Sequence, residues 1–242
     1  MRKDDRRRPD AANMAEFDGL ADSYRDVHEE NIAITGELPE YFSEYKISDL
    51  RGFVDGISAP DENVLDFGSG IGNSLPFFRK YFPNSRVTCA DVSLKSLDIA
   101  KARFPGVEEY THIEDTLPVS SDSQDIVFSA CVFHHIPHEE HGRWLKEILR
   151  VLRPGGMLAI YEHNPLNPLT RHAVNTCPLD VNAHLIHGRE MRRRALNSGW
   201  ERAEVAYKVF FPAKLATLRV LEKHLEWLAL GAQYRLISFK PR

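Results

Sequence analysis

Residues 64–74 hold the feature that most constrains the fold: an apolar strand runs directly into three closely spaced glycines and then into a helix. The glycines are Gly68, Gly70 and Gly72. Glycine lets the backbone turn tightly, and it lets a ligand approach without meeting a Cβ atom. The helix that follows begins with backbone N–H groups that have no partner within the helix. This order predicts a nucleotide-like ligand bound against a helix N-terminus at the edge of a sheet.

Two acids and an asparagine around the glycines decide between two kinds of ligand. A dinucleotide-binding loop spaces its glycines as Gly-x-Gly-x-x-Gly, and the position that needs the last glycine is here Asn73. Asp66 lies at the end of the strand, where its charge would repel a phosphate but could hold an ammonium group. Asp91 ends the next predicted strand, where a carboxylate can accept hydrogen bonds from both hydroxyls of a ribose. An NAD-dependent oxidoreductase is therefore the disfavoured alternative.

Apolar stretches with strand character alternate with helical patterns through most of the chain. Strands are predicted at residues 63–67, 86–90, 107–111, 125–130, 157–161, 203–211 and 234–239. Helices are predicted at residues 73–81, 93–104, 138–152 and 188–197, and in the leucine-rich segment 215–228. Alternation of this kind predicts an α/β fold, with a parallel sheet covered by helices on both faces.

The chain divides by composition and pattern into three parts. Residues 1–13 are polar and charged, and we expect them to be disordered. Residues 14–58 are loosely helical, and we expect them to form an N-terminal helical lid. Residues 59–242 carry the alternating strands and helices and are expected to form the core domain.

Bulk properties exclude several classes of protein. The formal net charge of −4 argues against a general nucleic-acid binder, which normally carries a basic excess. The cysteines lack the Cys-x-x-Cys spacing of zinc or redox sites, so they are expected to be reduced thiols. No apolar run approaches the ~18 residues of a membrane span, and no apolar segment follows the basic N-terminus. We therefore expect a soluble, cytoplasmic protein without a membrane span.

Five segments, in order, resemble motifs of the class I S-adenosylmethionine-dependent methyltransferases that act on small molecules. The segments are residues 64–74, 89–93, 114–118, 125–130 and 150–156. The resemblance spans residues 60–165, and the order of the motifs makes it specific where any one motif would be weak. It implies a doubly wound, Rossmann-like sandwich, with a mostly parallel seven-stranded sheet whose last strand is antiparallel.

The resemblance also implies S-adenosylmethionine as the cofactor and assigns residues to it. They are Tyr24, Asp66, Gly68, Ser69, Gly70, Asp91, Val92, Glu114, Asp115, Ser129 and Ala130. By this resemblance, Asp91 would bind the ribose hydroxyls and Val92 would pack against the adenine. Either Glu114 or Asp115 would accept a hydrogen bond from the adenine amino group, and Tyr24 would cover the cofactor.

Four polar side chains are the candidates for catalysis, because they follow two neighbouring strands at the edge where open α/β sheets bind ligands. His134 and His135 follow the fourth strand, and Glu162 and His163 follow the fifth. Oxygen and nitrogen acceptors usually lose a proton, and histidine is the side chain best tuned to take it near neutral pH. Glu162 and His163 point to opposite faces of a strand, so one of the two is expected in the site. No metal is expected, because the spacing of the histidines over residues 134–141 matches no common ligand pattern.

We expect methyl transfer to an oxygen of a small polar metabolite, such as a sugar, a glycolipid precursor or a secondary metabolite. Arg171, His172 and Asn175, in an irregular segment over residues 162–183, favour a polar or anionic acceptor. N-methylation of an amino-sugar is the alternative, and a non-catalytic nucleoside-binding module is a further one. The expected partner is the small-molecule acceptor, without nucleic acid, and the protein is expected to be a monomer or a homodimer.

Overall fold

The structure, a computed structural model, describes residues 35–242 together with Val27, Glu29, Asn31 and Ile32. The predicted tail at residues 1–13 therefore lies outside the described residues, as does the predicted cofactor residue Tyr24.

Seven strands in the described part of the chain form one sheet. They are β1 (Asn63–Phe67), β2 (Arg86–Asp91), β3 (Glu109–His112), β4 (Gln124–Ala130), β5 (Leu152–His163), β6 (Arg202–Lys208) and β7 (Gln233–Phe239). Their order across the sheet is β3-β2-β1-β4-β5-β7-β6. β7 pairs antiparallel with β5 and with β6, and the other neighbours pair in parallel. The predicted α/β fold, a mostly parallel seven-stranded sheet with an antiparallel last strand, is confirmed.

Helices cover both faces of the sheet. They are α1 (Pro39–Ile57), α2 (Leu75–Tyr81), α3 (Leu94–Arg103), α4 (His141–Val151), α5 (Pro168–Thr176) and α6 (Gly188–Asn197). Helices α1, α2 and α3 share one apolar core with the sheet, whereas α4 and α6 share the other. Successive residues of β1 show why: Val64 belongs to the first core and Leu65 to the second, since side chains alternate along a strand. In the described part of the chain, no helix combines the length and apolar character needed to cross a membrane.

The carboxylate of Asp49 links α1 to strands β5, β6 and β7. Asp49 accepts hydrogen bonds from Tyr161 Oη at 2.8 Å, from Lys208 Nζ at 2.7 Å and from Arg235 Nη1 at 2.7 Å. These donors belong to β5, β6 and β7. The range predicted as a lid therefore contains a helix that packs into the core of the sandwich, and the division of the chain at residues 58 and 59 stays a proposal.

The parallel strands bring the predicted site residues to one edge. Strands β1, β2, β4 and β5 run in the same direction, so their carboxyl ends meet on the same side of the sheet. The glycine loop follows β1, Asp91 ends β2, a 3₁₀ turn over Phe133–His135 follows β4, and His163 ends β5. Open α/β sheets bind ligands at this edge.

The predicted helix over residues 215–228 is wrong. Residues Ala213–His224 form 3₁₀ turns with a non-helical residue inside them (φ −116°, ψ 23°), and none of these residues is buried. The acids of the segment, rather than its leucines, face the protein: Glu222 accepts from two backbone N–H groups, and Glu226 pairs with Lys208. These polar contacts hold the segment with Leu215, Leu218 and Leu221 exposed, whereas periodicity alone assumed that the leucines would be buried.

The region around β5 also differs from the prediction. β5 includes residues 154–156, the Pro-Gly-Gly sequence just before the predicted strand at residues 157–161. This is possible because Gly155 takes φ 78° and its N–H donates to Lys240 O on the continuation of β7. Within the segment expected to be irregular, α5 forms because Pro168 occupies its first turn and Asn167 caps it. The Asn167 side chain accepts from the backbone N–H groups of Leu169 and Thr170. Proline at this position already has helical φ and has no N–H to satisfy.

Candidate active site

The glycine loop between β1 and α2 forms one wall of a cavity of about 600 Å³. Gly68 has φ 77°, and a Cβ added there would lie 2.3 Å from Val132 Cγ2, so only glycine fits. The N–H groups of Gly68 and Ser69 both donate to Ala90 O, at 2.8 and 3.1 Å. At Gly70, with φ 51°, an added Cβ would meet nothing within 4 Å. The loop thus presents bare backbone to open space, as a ligand cradle requires.

Asp91 lies beside this cradle. Its Oδ2 accepts from Gly70 N at 2.7 Å, and its Oδ1 accepts from Ser93 N at 2.8 Å. Burial raises the pKa of Asp91, although the N–H groups of Ser93 and Gly70 act in the opposite direction. Because a carboxylate oxygen accepts more than one hydrogen bond, Asp91 can hold the loop and still accept from a ligand hydroxyl.

Asp66 is a buried carboxylate that lines the same cavity. Its Oδ2 has no hydrogen-bond partner among the described residues. Burial, reinforced by the nearby Asp91, raises the pKa of Asp66 to about 8. A buried carboxylate oxygen without a partner is unfavourable unless a ligand supplies a donor. An ammonium group of a bound ligand would supply that donor and would favour the ionised acid.

The pKa of Asp66 makes stability depend on pH in a direction unusual for an acid. Its pKa of about 8 in the folded protein lies above the ordinary value, so the folded state binds the proton more tightly. The free energy of unfolding therefore falls as the pH rises from about 4 to about 8. Asp66→Asn removes the carboxyl group whose titration causes this pH dependence. Without cofactor, we expect the stability of the variant relative to the parent to grow by roughly 2–4 kcal/mol between pH 5 and pH 8.

Urea unfolding of both proteins at the two pH values measures this effect. A difference in stability that stays constant between pH 5 and pH 8 would contradict a raised pKa at Asp66.

Three further predicted cofactor residues, Val92, Glu114 and Ala130, line the cavity. Val92 follows Asp91 directly, and its backbone oxygen lies 2.9 Å from His112 Nε2. The Glu114 side chain is largely exposed at the rim. The cavity wall thus continues from the glycine loop along the end of β2, as expected for a site that binds a nucleoside.

Two predicted cofactor residues, Asp115 and Ser129, do not line the cavity. The Asp115 side chain points to solvent with 77% of its area exposed, and its backbone oxygen accepts from Arg143. Ser129 is fully buried within β4. Of the two neighbouring acids that sequence left open, Glu114 is therefore the one at the cavity.

At the other end of the cavity, His134, His135, His163 and Asp180 form what we call the histidine cluster. The ring centroid of His134 lies 4.1 Å from that of His135 and 5.2 Å from that of His163. Asp180 Oδ1 lies 3.4 Å from His134 Nε2 and 3.6 Å from His135 Nε2. Three of the four predicted catalytic residues therefore meet in one place.

Glu162, the fourth predicted catalytic residue, lies behind the cluster and does not line the cavity. Its Oε1 accepts from Val132 N at 2.9 Å and Phe133 N at 2.7 Å, and its Oε2 lies 2.6 Å from His134 Nδ1. Burial opposes the charge, but His134 lowers the pKa of Glu162 to about 2. Glu162 therefore orients His134 and the turn after β4, while its neighbour His163 faces the cavity, as strand alternation predicts.

The cluster combines a neutral imidazole with an ionised carboxylate. Burial, with His134 adding to it, lowers the pKa of His135 to about 3. Burial also opposes a charge on His134, but Glu162 and Asp180 raise its pKa well above the usual range. For Asp180, burial is outweighed by the contact with His134 and the charges of the histidines, which lower its pKa to about 2.

Sequence analysis missed Asp180, Lys46 and Cys131, which also line the cavity. Lys46 is 7% exposed on the buried face of α1, and its Nζ lies 3.7 Å from Cys131 Sγ. Burial acts against the thiolate, but Lys46 and His163 lower the pKa of Cys131 to about 7. A lysine on the apolar face of a predicted helix was an available signal, because lysine is rarely buried without a reason.

The other histidines of residues 134–141 turn away from the cavity. His138 Nε2 lies 3.1 Å from His184 O, and His141 Nε2 lies 2.9 Å from Phe133 O. The four histidines considered together from sequence therefore do not converge on one point.

Apolar side chains also form much of the cavity wall. They include Tyr41, Phe42, Leu169, Val174, Leu179 and Phe210. The polar residues Arg171, His172 and Asn175 lie exposed on the outer side of α5 and do not line the cavity. Helix formation explains this, because α5 directs its Thr170 and Val174 side inward. The three polar residues singled out from sequence therefore do not line the cavity, although Asn167 and Thr170 of the same segment do.

Comparison with known proteins agrees with the fold and with the order of these features. Residues 65–160 match the family model described as a methyltransferase domain. Over this segment the chain is similar to the class I S-adenosylmethionine-dependent methyltransferases. Trans-aconitate 2-methyltransferase of Rhodopseudomonas palustris is 33% identical to this chain over 109 residues, which are 44% of this chain and 41% of that protein.

Other relatives align over more of this chain. Phthiotriol/phenolphthiotriol dimycocerosates methyltransferase 1 of Mycobacterium ulcerans is 26% identical over 188 residues, covering 74% of this chain and 67% of that protein. A possible histamine N-methyltransferase of Thermotoga maritima has the same fold, with a TM-score of 0.66 and 17% identity over 94% of this chain and 99% of that one. The chain spans less than half the length of the first curated relatives that it matches.

The residues of this cavity fit the cofactor of the class. Asp66 Oδ2, which has no partner among the described residues, suits the amino group of the methionine part. The open space at Gly70 lets a ligand lie against the main chain, and Asp91 stands beside it for the ribose. Val92 and Glu114 follow along the wall where the adenine would lie.

Proposed function

We propose that this chain transfers the methyl group of S-adenosylmethionine to an oxygen of an acceptor that binds against the histidine cluster. One observation carries the proposal: a single cavity joins the glycine loop and Asp91 at one end to His134, His135, His163 and Asp180 at the other. Bound S-adenosylmethionine supplies a methyl group on a positively charged sulfur. The acceptor oxygen displaces this sulfur from the methyl carbon.

The protein contributes position and activation of the acceptor. Methyl transfer is an in-line displacement, so holding the acceptor oxygen and the methyl group in one cavity provides much of the rate. A hydroxyl must also lose its proton, and imidazole and carboxylate groups are the usual means. The histidine cluster supplies three imidazoles and one carboxylate at the place where the acceptor would end.

The walls favour an acceptor with an apolar body and one reactive hydroxyl. Tyr41, Phe42, Leu169, Val174 and Phe210 would contact that body, and sugar hydroxyls placed against these side chains would have no partners. This departs from the polar metabolite expected from sequence, because Arg171, His172 and Asn175 do not line the cavity.

A methyl-transfer assay with isotopically labelled S-adenosylmethionine tests the proposal. Aryl and long-chain alcohols would be compared with sugars and amines, and formation of S-adenosylhomocysteine and of the methylated product would be followed by mass spectrometry. We expect methyl ethers of the apolar alcohols. Turnover confined to sugars or to amines would refute the acceptor class, and failure to bind S-adenosylmethionine would refute the function.

A further inference from the structure

Three ligand atoms of the histidine cluster surround a common point. His134 Nε2 and His135 Nε2 lie 3.4 and 3.6 Å from the same atom, Asp180 Oδ1, and all three atoms lie within 4.8 Å of one another. Ligand atoms held ~2.1 Å from a common ion at tetrahedral angles lie roughly 3.4 Å apart. A charge-assisted hydrogen bond between nitrogen and carboxylate oxygen is shorter, at about 2.8 Å. The two distances to Asp180 Oδ1 are those of ligands around an ion, and the third pair of atoms lies within 4.8 Å.

His134 is oriented as a metal ligand. Its Nδ1 lies 2.6 Å from Glu162 Oε2, and since a carboxylate only accepts, Nδ1 carries the hydrogen. Its Nε2 is directed toward Asp180 and forms no hydrogen bond with any described residue, although the side chain is 1% exposed. A carboxylate behind a histidine fixes the tautomer and the ring orientation of metal-binding histidines in this way.

The charges around this point also favour a cation. Glu162 and Asp180 approach His134 from its two ring nitrogens, so two carboxylates share one imidazole. A divalent ion at Nε2 would balance their charge, as buried charges are either paired or coordinate a metal.

We propose that His134, His135 and Asp180 bind a divalent transition-metal ion of the Zn²⁺ type. Two imidazoles and one carboxylate suit Zn²⁺ and its neighbours, whereas Mg²⁺ prefers a shell of oxygen atoms. The histidine spacing in the sequence hid this site, because the third ligand is Asp180, in the turn after α5.

The ion has a role that rests on the proposed function. Three protein ligands leave a fourth position open, and all three side chains line the cavity where the acceptor would bind. An acceptor hydroxyl bound there loses its proton to water more readily, because the ion stabilises the alkoxide. The alkoxide oxygen then forms a bond to the methyl carbon, the carbon–sulfur bond breaks, and its electron pair stays on the sulfur.

Zn²⁺ titration of the chelator-treated full chain, in competition with a chromophoric chelator, tests the site. We expect one Zn²⁺ per chain, and a rise of the melting temperature with Zn²⁺ because the ion binds the folded state. Asp180→Asn and His135→Gln should each weaken binding by at least ~10-fold, and Glu162→Gln, behind His134, by ~10–100-fold. His172→Gln, on the outer side of α5, is the matched control and should bind as the parent does.

Two results would overturn the site. One is a parent protein that binds no Zn²⁺; the other is Asp180→Asn and His135→Gln variants that bind it as tightly as the parent. Circular dichroism of the variants verifies that they fold, and both substitutions keep the approximate side-chain size.

The metal site and the methyl transfer can fail separately. A metal-free protein that binds S-adenosylmethionine and methylates an alcohol at the parent rate would overturn the role of the ion and leave the proposed function standing. A chain that binds Zn²⁺ through these residues but methylates no acceptor would support the site and refute the function.

Discussion

Replacing Asp91 by alanine is expected to weaken S-adenosylmethionine binding by about 10²–10⁴-fold. The carboxylate is buried beside the glycine loop, and each oxygen already accepts one backbone N–H, from Gly70 and from Ser93. Hydrogen bonds from two ribose hydroxyls to a charged acceptor contribute about 1.5–3 kcal/mol each. The substitution removes both of them and also the contact that holds Gly70 in place.

Calorimetric titration with S-adenosylmethionine and with S-adenosylhomocysteine measures this loss. Asp98→Ala is the matched control, since it removes the same charge from α3 at a side chain that is 76% exposed. It should bind both ligands as the parent does. An Asp91→Ala protein that is folded and binds within threefold of the parent would show that the ribose lies elsewhere.

Replacing Glu162 by alanine is expected to lower the free energy of unfolding by about 3–5 kcal/mol, because it removes one partner of a buried charged pair. The substitution leaves three donors without their acceptor: the N–H groups of Val132 and Phe133, and Nδ1 of His134. Glu162 and His134 are each 1% exposed, so these donors lie away from bulk water.

Urea unfolding of Glu162→Ala beside Glu190→Ala provides the comparison. Glu190 is also paired, with Arg193 and Arg194, but it lies at the surface of α6, where such pairs contribute at most about 1 kcal/mol. Equal losses for the two variants would contradict a special role for the buried acid. If the alanine variant does not fold, Glu162→Gln should show a smaller loss, because its amide oxygen still accepts from the backbone.

The sheet and the cofactor half of the site could be predicted from sequence because both depend on short-range pattern. Alternating apolar residues give each strand its two buried faces, and the ends of parallel strands necessarily share an edge. Asp66, Gly70 and Asp91 lie on those strand ends. Asp115 and Ser129 show the limit, because an error of one residue turns a side chain away from the cavity.

The acceptor half depends on contacts that no local pattern reveals. Asp180 reaches the histidines only because α5 and the turn after it return the chain to the sheet edge. Arg171 is directed outward by the same helix, so it does not line the cavity as expected from sequence. The leucine-rich segment was wrongly predicted as a helix from its periodicity, which does not show that Glu222 and Glu226 contact groups distant in sequence.

The contacts of Asp49 decide where the chain can be shortened. A fragment that starts at residue 59 keeps all seven strands but removes the carboxylate that Lys208 and Arg235 share. The side chains of these two residues are only 9% and 11% exposed, so their charges would stay buried with less compensation. A fragment of this chain that keeps Asp49, and with it the partner of these buried charges, therefore has to include α1. It begins no later than Pro39, well before the segment at residues 65–160 that matches the methyltransferase domain.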